Sequence, residues 1–557
     1  MLPKLASSPR ILMVYPEFFP TYWGMQYYLP LVNRKALMPP LGLITIAAMC
    51  PPEWEIRVVD MNCGPLTDED LAWADLILFS AMLPQKTTMF KAAERCRRAG
   101  KFLICGGPYP TACPEECKPY FDVVIMNEGE VTWPMFLEDV KDGHYLPLYT
   151  SEEKPDVTQT PCPRFDLLRN IYDYAIIPIQ FSRGCPFQCE FCDIIVMYGR
   201  RPRTKTPQQL CAELDAVNAT GFRGSVFIVD DNFIGNKREV FKLLPEIKSW
   251  NEAHGNPFYF GTEASVNLAE DPELVRQMVE SGFIWVFMGI ETPSTESLKE
   301  TKKFQNTRGS LVDLVKIVQH AGLLVYGGFI IGFDSDSEDI FDRQIEFIRQ
   351  AAIPSVMLGP LVALPGTPLY KRMKQEGRLV ASIDDHNRTT ASGYTNILTK
   401  IPHKQLTEGH LKILKTIYNP AEYFERTAEA FSRLPRSKSI RGRLKTFLWL
   451  ASLIFKNMTA KKIEGPDAKL SFRKRLKTFF GIFEKFPEDY RRESGKFART
   501  ILKTRWEQFP RVLGYILMGY HYYKYTFDHV VPDLTQKIEE LSRQEMARPK
   551  NSETLAA

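Results

Sequence analysis

The sequence has no apolar run long enough to cross a membrane. A spanning helix needs about 18 to 20 consecutive apolar residues, and the longest candidates, at 447–455 and 512–520, reach about half of that. The N-terminal stretch MLPKLASSPRILMVYPEF also lacks the apolar core and the cleavage site of a signal peptide. We therefore expect a cytoplasmic protein.

Histidine and cysteine are each absent from a long part of the chain. The first histidine is His144, and no cysteine follows Cys211. The 11 cysteines are an odd number in a chain without a secretion signal, which argues against a disulfide framework. Most of the cysteines are expected to be small buried apolar residues.

Strand-like apolar runs alternate with helix-like stretches in residues 1–145. The runs are ILMVYP, EIRVVDM, ADLILFSAM, KFLICGG and DVVIMNEG. This alternation predicts an α/β class, with a Rossmann-like, doubly wound domain built on a parallel sheet. Sheets of this kind bind ligands at the carboxyl ends of their strands. Residues 146–175 are rich in proline, aspartate and threonine and are predicted to form a linker.

The same alternation returns in residues 176–395. Its six strand-like runs are AIIPIQFS, SVFIVDD, PFYFGTEAS, IWVFMGIE, LVYGGFIIGF and PSVMLGPLVAL. Six βα units are fewer than a closed TIM barrel contains. We therefore predict a partial (β/α)6 barrel of the TIM type.

The strand signal fades after residue 395. Residues 396–540 are predicted to form a basic helical C-terminal domain, and residues 541–557 are predicted to be a disordered tail. Between 436 and 511 there are 21 lysines and arginines against 7 acidic residues, with Phe, Leu and Trp between them. This pattern predicts several basic amphipathic helices.

The basic segment is open to three interpretations. It is either a helical cap on the barrel with a solvated basic face, a helix in the interface of an anionic membrane, or an RNA-binding surface. Its aromatic residues, among them Phe447, Trp449, Phe479 and Phe480, lie among aliphatic ones. This arrangement favours protein or membrane contact, so nucleic acid is not expected as a partner.

The stretch QFSRGCPFQCEFCDI contains three cysteines within eight consecutive residues. Cys185, Cys189 and Cys192 follow the first predicted barrel strand, and barrel active sites form at such strand ends. A zinc site would need a fourth ligand close by, yet the nearest histidines are His144 and His254. A [4Fe–4S] cluster held by three thiolates keeps one iron open for a ligand. Incidental cysteines and a structural zinc knuckle are the alternatives.

The Cys-x3-Cys-x2-Cys spacing, with Phe191 before the last cysteine, resembles the signature of the radical S-adenosylmethionine enzymes. The resemblance extends over about 176–370. It implies that the three cysteines hold a [4Fe–4S] cluster whose open iron binds S-adenosylmethionine. An injected electron would then split that molecule to a 5′-deoxyadenosyl radical. The resemblance also implies a low-potential electron donor such as ferredoxin or flavodoxin.

Further positions match the same family at the ends of the predicted strands. Where relatives often have Gly-Gly-Glu, the second strand ends in VDDNF, a departure that keeps hydrogen-bond acceptors in place. The resemblance implies contacts to the methionine or ribose part of S-adenosylmethionine by acids, and close approach of adenine to a glycine-bearing strand. The residues concerned are Asp230, Asp231, Asn232, Glu263, Glu291 and Gly332.

The first domain resembles the cobalamin-binding domains fused to many of these enzymes, through blocks such as MPPLGLITIAA, CGGPYPTACPEE and NEGEVTW. The resemblance implies that cobalamin lies against Gly106, Gly107, Thr111 and Glu128. The loop DMNCG at 60–64 has no histidine to ligate cobalt. Cobalamin would therefore bind without a protein histidine, or the domain is a scaffold that binds none.

The chain also resembles the subgroup that includes the hopanoid C-2 methylases, which act on a membrane lipid. ALPGTPLYKRMKQEGRL is the best segment of this match. It implies a cobalamin-dependent methyltransferase that acts on an unactivated carbon of a hydrophobic or lipid-like substrate, with possible peripheral contact to the inner face of the membrane. The alternatives are a radical enzyme without cobalamin, which would rearrange, cyclise or couple carbons, and a non-enzymatic iron–sulfur sensor or scaffold.

Overall fold

The protein consists of two parallel six-stranded sheets followed by a set of helices. The computed structural model describes residues 8–380, 395–436, 438–459, 481 and 483–547. Both sheets are purely parallel, and the second has the six strands expected for a partial barrel. The predicted α/β class and the three-part architecture are therefore confirmed.

The first sheet has the strand order β2-β1-β3-β4-β5-β6. Its strands are β1 (Arg10–Tyr15), β2 (Glu55–Asp60), β3 (Leu76–Ser80), β4 (Phe102–Gly106), β5 (Val123–Ile125) and β6 (Leu148–Tyr149). The helices are α1 (Leu41–Ala48), α2 (Asp68–Trp73), α3 (Lys86–Arg98), α4 (Pro108–Ala112), α5 (Pro114–Cys117) and α6 (Gly129–Lys141). Strand β6 pairs with β5 and lies inside the segment 146–175 that the composition predicts to be a linker.

The second sheet has the order β7-β10-β11-β12-β13-β14, and a short ladder β8–β9 lies beside it. Its strands are β7 (Ile176–Ile179), β10 (Gly224–Ile228), β11 (Phe258–Glu263), β12 (Phe283–Glu291), β13 (Leu324–Ile331) and β14 (Val356–Pro360), with β8 (Ser182–Arg183) and β9 (Arg203–Thr204) in the ladder. The helices are α7 (Ile194–Met197), α8 (Pro207–Ala219), α9 (Lys237–Ala253), α10 (Pro272–Glu280), α11 (Thr295–Glu300), α12 (Leu311–Ala321), α13 (Ile340–Gln350) and α14 (Pro368–Gln375).

Helices make up the described part of the C-terminal region. They are α15 (His403–Ile417), α16 (Pro420–Arg433), α17 (Ile440–Thr459), α18 (Glu488–Arg505), α19 (Phe509–Tyr525) and α20 (Val531–Ala547). Helix α20 extends seven residues into the segment 541–557 for which the sequence predicts disorder, and 548–557 lie outside the described residues. Among the helices described, none is both long and apolar enough to cross a membrane.

Strand β1 shows why the first sheet is buried on both faces. In β1, Ile11 and Met13 join the large core that extends through the barrel, whereas Leu12 and Val14 join a second core on the other face of the first sheet. Alternation of side chains along a strand sends neighbouring residues to opposite faces, so a continuous apolar run suits a strand covered on both sides. The apolar runs stop at the strand ends, so the polar residues of a site can lie there.

Candidate active site

The three cysteines lie on the loop between β7 and α7, at the carboxyl edge of the barrel sheet. All three are free thiols, and Cys189 is buried, whereas Cys185 and Cys192 are half-buried. The loop is fixed to its surroundings by its backbone. The Glu190 amide donates to the Thr301 carbonyl at 2.9 Å, and the Leu369 amide donates to the Glu190 carbonyl at 3.0 Å.

Nitrogen donors point at two of the sulfurs. The Asn232 side-chain amide lies 3.8 Å from the Cys185 Sγ, and the Gln305 amide lies 3.5 Å from the Cys189 Sγ. Burial raises the pKa of the Cys192 thiol to about 12, so the thiolate form needs a cation in place. The Asn232 and Gln305 amide donors stabilise the thiolate form of the cysteines, which is the form that binds iron. This donor set fits an iron–sulfur cluster.

Within the described ranges, no three His, Cys, Asp or Glu side chains are close enough to hold a single metal ion. A [4Fe–4S] cluster places its iron atoms at separate corners, so its ligands lie farther apart than those of a lone zinc ion. The absence of a single-ion site among the described residues is therefore compatible with the cluster predicted from the motif.

Asp230 and Asp231 support the cysteine loop from the end of β10. The Asp230 carboxylate accepts from the Phe181 amide at 2.8 Å and from the Ser182 hydroxyl at 2.7 Å. Asp231 accepts from the Gly184 amide at 2.9 Å. Burial raises the pKa of Asp230 to about 7 and that of Asp231 to about 6, because a desolvated carboxylate is disfavoured. Both acids thus position the loop that leads to Cys185.

Glu263 lies at the same carboxyl edge of the barrel sheet. It ends β11, and burial together with the charges of Asp231 and Asp230 raises its pKa to about 8. Among the described residues it has no hydrogen-bonded side-chain partner. A desolvated carboxyl next to two others favours a cationic ligand, because a positive charge would offset the repulsion.

Glu291 has a protein partner that the sequence did not predict. Its carboxylate accepts from the buried Lys303 ammonium, and its backbone has a positive φ of 68°. Burial alone would lower the pKa of Lys303, but the charge of Glu291 raises it, so the lysine stays cationic. The same ammonium faces Cys189 and Cys192 and lies 5.7 Å from the centroid of the Phe191 ring. The pair thus brings a positive charge beside the thiols.

Phe191, inside the cysteine loop, lies near the turn that follows β13 and contains Gly332. The Phe191 ring is 6.2 Å from the Phe333 ring and packs on the small apolar cluster below the loop. Gly332 has a φ of +92°, which favours glycine, and its amide donates to Asp336 at 2.9 Å. This turn ends β13 beside the loop.

The first sheet presents a flat edge at the carboxyl ends of β3 and β4. Gly107 has a φ of +95°, and a Cβ there would lie 2.6 Å from the Ser80 Oγ, so only glycine fits. Gly106 precedes it, and Thr111 accepts from the Asn127 amide at 2.9 Å. Met82 keeps 46% of its surface exposed at the same edge. A small-residue turn with an apolar neighbour fits a flat macrocycle such as cobalamin.

Glu128 joins the two domains through a buried ion-pair network, which we call the interdomain clamp: Glu128, Glu130, Arg183 and Arg203. The Arg183 Nη1 is 3.0 Å from Glu128 and its Nη2 is 2.7 Å from Glu130. The Arg203 Nη2 is 2.8 Å from Glu128. Arg183 lies two residues before Cys185, so the clamp ties the cysteine loop to the edge predicted to hold cobalamin. This pairing was not predicted from the sequence.

A second ion-pair network holds the middle of the cysteine loop. The Arg372 Nε donates to Glu190 at 2.7 Å, and its Nη1 lies 3.3 Å from Asp334. Arg378 donates to the same Asp334 at 2.7 Å. Because Glu190 lies between Cys189 and Phe191, this network fixes the middle of the cysteine loop. None of Lys303, Gln305 and Arg372 was predicted from the sequence to be a site residue.

Three family models match the chain. The B12 binding domain matches residues 29–137, the Radical SAM superfamily matches 179–348, and a domain of unknown function, DUF4070, matches 367–531. The first two contain the edges described above. The predicted cofactors, a [4Fe–4S] cluster, S-adenosylmethionine and cobalamin, are thereby confirmed.

Two curated relatives cover most of the chain. An uncharacterized methyltransferase of Synechocystis is 47% identical over 77% of this chain and 80% of its own length. A hopanoid C-2 methylase of Rhodopseudomonas palustris is 37% identical over 75% of this chain and 79% of its own length.

Two solved structures share the fold. The cobalamin-dependent S-adenosylmethionine radical enzyme OxsB with aqua-cobalamin matches with a TM-score of 0.58 and 13% identity, over 97% of this chain and 82% of OxsB. The radical S-adenosylmethionine methyltransferase TsrM of Kitasatospora setae, with cobalamin and a [4Fe–4S] cluster bound, matches with a TM-score of 0.52 and 15% identity, over 66% of this chain and 78% of TsrM.

Proposed function

Because this chain belongs to the cobalamin-dependent radical S-adenosylmethionine methyltransferases, we propose that it methylates an unactivated carbon of a hydrophobic, lipid-like substrate. The single observation that carries the proposal is the interdomain clamp, which brings the cysteine loop and the flat edge of the first sheet together. The similarity to a hopanoid C-2 methylase supports the lipid-like substrate.

Different residues of this chain would hold the different cofactors. When bound, the cluster and S-adenosylmethionine supply radical chemistry, and cobalamin carries the methyl group. Cys185, Cys189 and Cys192 would ligate the cluster. Gly106 and Gly107 would lie against the macrocycle, because glycine lets it approach the backbone closely. No histidine precedes His144 in the chain, so the first domain would hold cobalamin without a histidine. Lys303 holds a positive charge beside the cluster and so favours its electron-rich state.

The experiment that tests the proposal uses the full chain, purified without oxygen and loaded with iron, sulfide and cobalamin. It is reduced by a chemical reductant or by flavodoxin and given methyl-labelled S-adenosylmethionine and an apolar lipid extract. We expect about four iron atoms per chain, an equimolar amount of cobalt, and label in the organic-soluble fraction. Iron without cobalt would favour a radical enzyme without cobalamin. A bound cluster that never splits S-adenosylmethionine would favour a sensor or scaffold.

Glu263 is proposed to bind the cationic part of S-adenosylmethionine, and this predicts a pH-dependent affinity. Because the pKa of Glu263 is raised to about 8, its carboxyl is mostly protonated at pH 6 and mostly ionised at pH 9. We expect the holoprotein to bind S-adenosylmethionine more tightly as the pH rises through this range. In Glu263→Gln the affinity at pH 9 should fall about tenfold, equal to one pKa unit of interaction.

Equilibrium dialysis measures this affinity without turnover. The wild type and Glu263→Gln are compared at each pH, so titration of the ligand itself cancels. Glu273→Gln, an exposed acid on α10, serves as the matched control and should leave the pH profile unchanged. Parallel profiles for the wild type and Glu263→Gln would exclude contact between Glu263 and the ligand's charge.

Helix α17 is proposed to contact an anionic membrane surface. It exposes Ile440, Leu444 and Leu448, which recur every four residues and so form one stripe. The exposed Arg441 and Lys445 flank it, and each cation near an anionic leaflet contributes about 1 kcal/mol. Phe447, which the sequence assigned to the interface, packs on Trp506 at 5.7 Å instead. The side chain of Trp449 and residues Phe479 and Phe480 lie outside the described part of the chain.

Co-sedimentation with vesicles tests the membrane contact. The wild type should bind vesicles that contain anionic lipid, and bind neutral vesicles less, with partial loss in high salt. The double variant Leu444→Gln/Leu448→Gln should bind severalfold more weakly, because the apolar stripe is lost. Leu502→Gln, another exposed leucine on α18, is the matched control. Equal pelleting of the wild type and the double variant would leave α17 as a helical cap that faces water.

A further inference from the structure

The inner face of the barrel sheet carries a row of aromatic rings. The Trp285 ring of β12 stacks on Phe227 of β10 at 5.2 Å and on Tyr326 of β13 at 5.0 Å. The row crosses β11 at Gly261, where a Cβ would lie 2.0 Å from the Trp285 ring. Because alternate residues share a face, Gly261 and Glu263 face the same side. The aromatic row, defined as Phe227, Trp285 and Tyr326, therefore leads toward the cofactor edge.

The segment before α1 covers this row and presents unpaired polar groups. Trp23 packs on Phe287, a residue on the same face of β12, with the ring centroids 5.8 Å apart. Within the described residues, the Trp23 indole nitrogen and both side-chain polar atoms of Gln26 are buried without a hydrogen-bond partner. Buried polar groups of this kind are costly unless something binds them.

Arg511 lies at the opposite, amino-terminal end of the inner face. It projects from the first turn of α19 and has Tyr259, Tyr326 and Tyr515 as its electrostatic neighbours. Burial lowers its pKa, yet among the described residues no carboxylate forms an ion pair with it, and its Nε has no hydrogen-bond partner. The nearest acid in sequence, Glu507, is bound to Arg505 at 3.0 Å.

A second arginine, Arg34, shares the neighbour Tyr259 with Arg511. Arg34 lies beside Tyr28 and Tyr259, and burial lowers its pKa as well. The acid closest to it, Asp173, forms its ion pair with Lys35 at 3.2 Å. Both guanidinium groups are half-buried, and neither forms an ion pair with a carboxylate among the described residues, although Arg34 donates to the Asn33 carbonyl at 3.2 Å. An anion that binds both arginines would form charge-assisted hydrogen bonds and give partners to their free N–H groups.

We infer that the methyl acceptor is an amphiphile whose anionic group, a carboxylate or a phosphate, binds Arg511 and Arg34 while its apolar body lies on the aromatic row. The inference rests on the proposed function and narrows its substrate to lipid-like molecules with a negatively charged end. Arginine suits this role because its planar donors match carboxylate and phosphate oxygens. The tyrosine hydroxyls beside it are further donors.

The dimensions of the sheet agree with this arrangement. Tyr259, beside Arg511, and Glu263, at the cofactor edge, are four residues apart on β11, which corresponds to about 13 Å along the strand. A bound anionic end would thus hold an apolar carbon about that far away at the carboxyl edge. The anion determines which carbon of the substrate meets the cofactors.

Calorimetry with simple amphiphiles tests the inference without turnover. The holoprotein is titrated with decanoate, decyl phosphate and decanol below the concentrations at which they aggregate. We expect at least one of the two anionic probes to bind about tenfold or more tightly than decanol, and the better one identifies the anionic group. Inorganic phosphate should bind much more weakly than decyl phosphate, because it lacks the apolar body. Equal affinity for decanol, or for inorganic phosphate, would overturn the inference.

Variants assign the preference to the arginine. Arg511→Met should bind the anionic probe no better than decanol, and Arg511→Lys should keep part of the preference because it keeps the charge. Arg499→Met, an exposed arginine on α18, is the matched control and should behave as the wild type. An unchanged preference in Arg511→Lys and Arg511→Met would refute the site. If no lipid is methylated but the preference is present, the proposed function fails and the anion site stands.

Discussion

Replacing Cys185, Cys189 and Cys192 together with alanine is expected to abolish the visible absorption of the cluster and all cleavage of S-adenosylmethionine. A [4Fe–4S] cluster depends on cysteine thiolates, and the loop between β7 and α7 supplies the three that the motif provides. Iron should fall from about four atoms per chain to a trace. Iron analysis and the absorption spectrum of the reconstituted protein measure the effect.

The chain offers a matched control for this experiment. Cys162 and Cys211 are free cysteines in or next to the barrel, and neither lies near the loop in sequence. The double variant Cys162→Ala/Cys211→Ala should keep its iron, its spectrum and its cleavage of S-adenosylmethionine. Retained absorption in the triple variant would show that other ligands hold the cluster. Loss of iron in the control would show that the effect is not specific to the loop.

The strands could be predicted because their signal is local. Runs such as ILMVYP and LVYGGFIIGF are apolar on both faces, which suits a parallel sheet covered on two sides. Strand β6, with two residues, is too short to give such a run and was missed. The cysteines, Glu263 and Gly332 were also predictable, because each lies where an apolar run ends and so is carried to the edge by the strand itself.

The partners of these residues could not be predicted, because they depend on tertiary position. Glu128 was assigned to the cobalamin edge, whereas the structure pairs it with Arg183, 55 positions later in the chain. Glu190 and Arg372 are 182 positions apart. Glu291 looked like a free acid at a strand end, and Lys303 reaches it from the loop after α11. A single sequence shows which residues are charged but not which of them pair in the folded protein.

Replacing Arg183 with methionine is expected to destabilise the protein by about 3–5 kcal/mol, the usual cost of breaking a buried ion pair. The Glu128 side chain is 2% exposed and that of Glu130 is 11% exposed, so neither can regain water when the arginine is lost. Unfolding in denaturant measures the free energy. Arg164→Met removes an arginine from an exposed pair with Asp166 and should cost about 1 kcal/mol or less.

The pH dependence of this loss identifies its cause. Burial alone would raise the pKa of Glu130, but the hydrogen bonds and charge of Arg183 lower it to about 2. In the wild type this pairing contributes stability above pH 4.5 that is lost as the pH falls toward 2. In Arg183→Met the buried Glu130 carboxylate loses its ion pair, whereas Glu128 keeps Arg203. Protonation of Glu130 therefore relieves the variant as the pH falls from 7 to 4. The difference in unfolding free energy between the wild type and the variant should therefore narrow over that range. At pH 7 the loss of unfolding free energy relative to the wild type should be smaller in the double variant Arg183→Met/Glu130→Gln than in Arg183→Met. A difference that is constant with pH and unchanged by Glu130→Gln would mean that Arg183 acts by packing and not by charge.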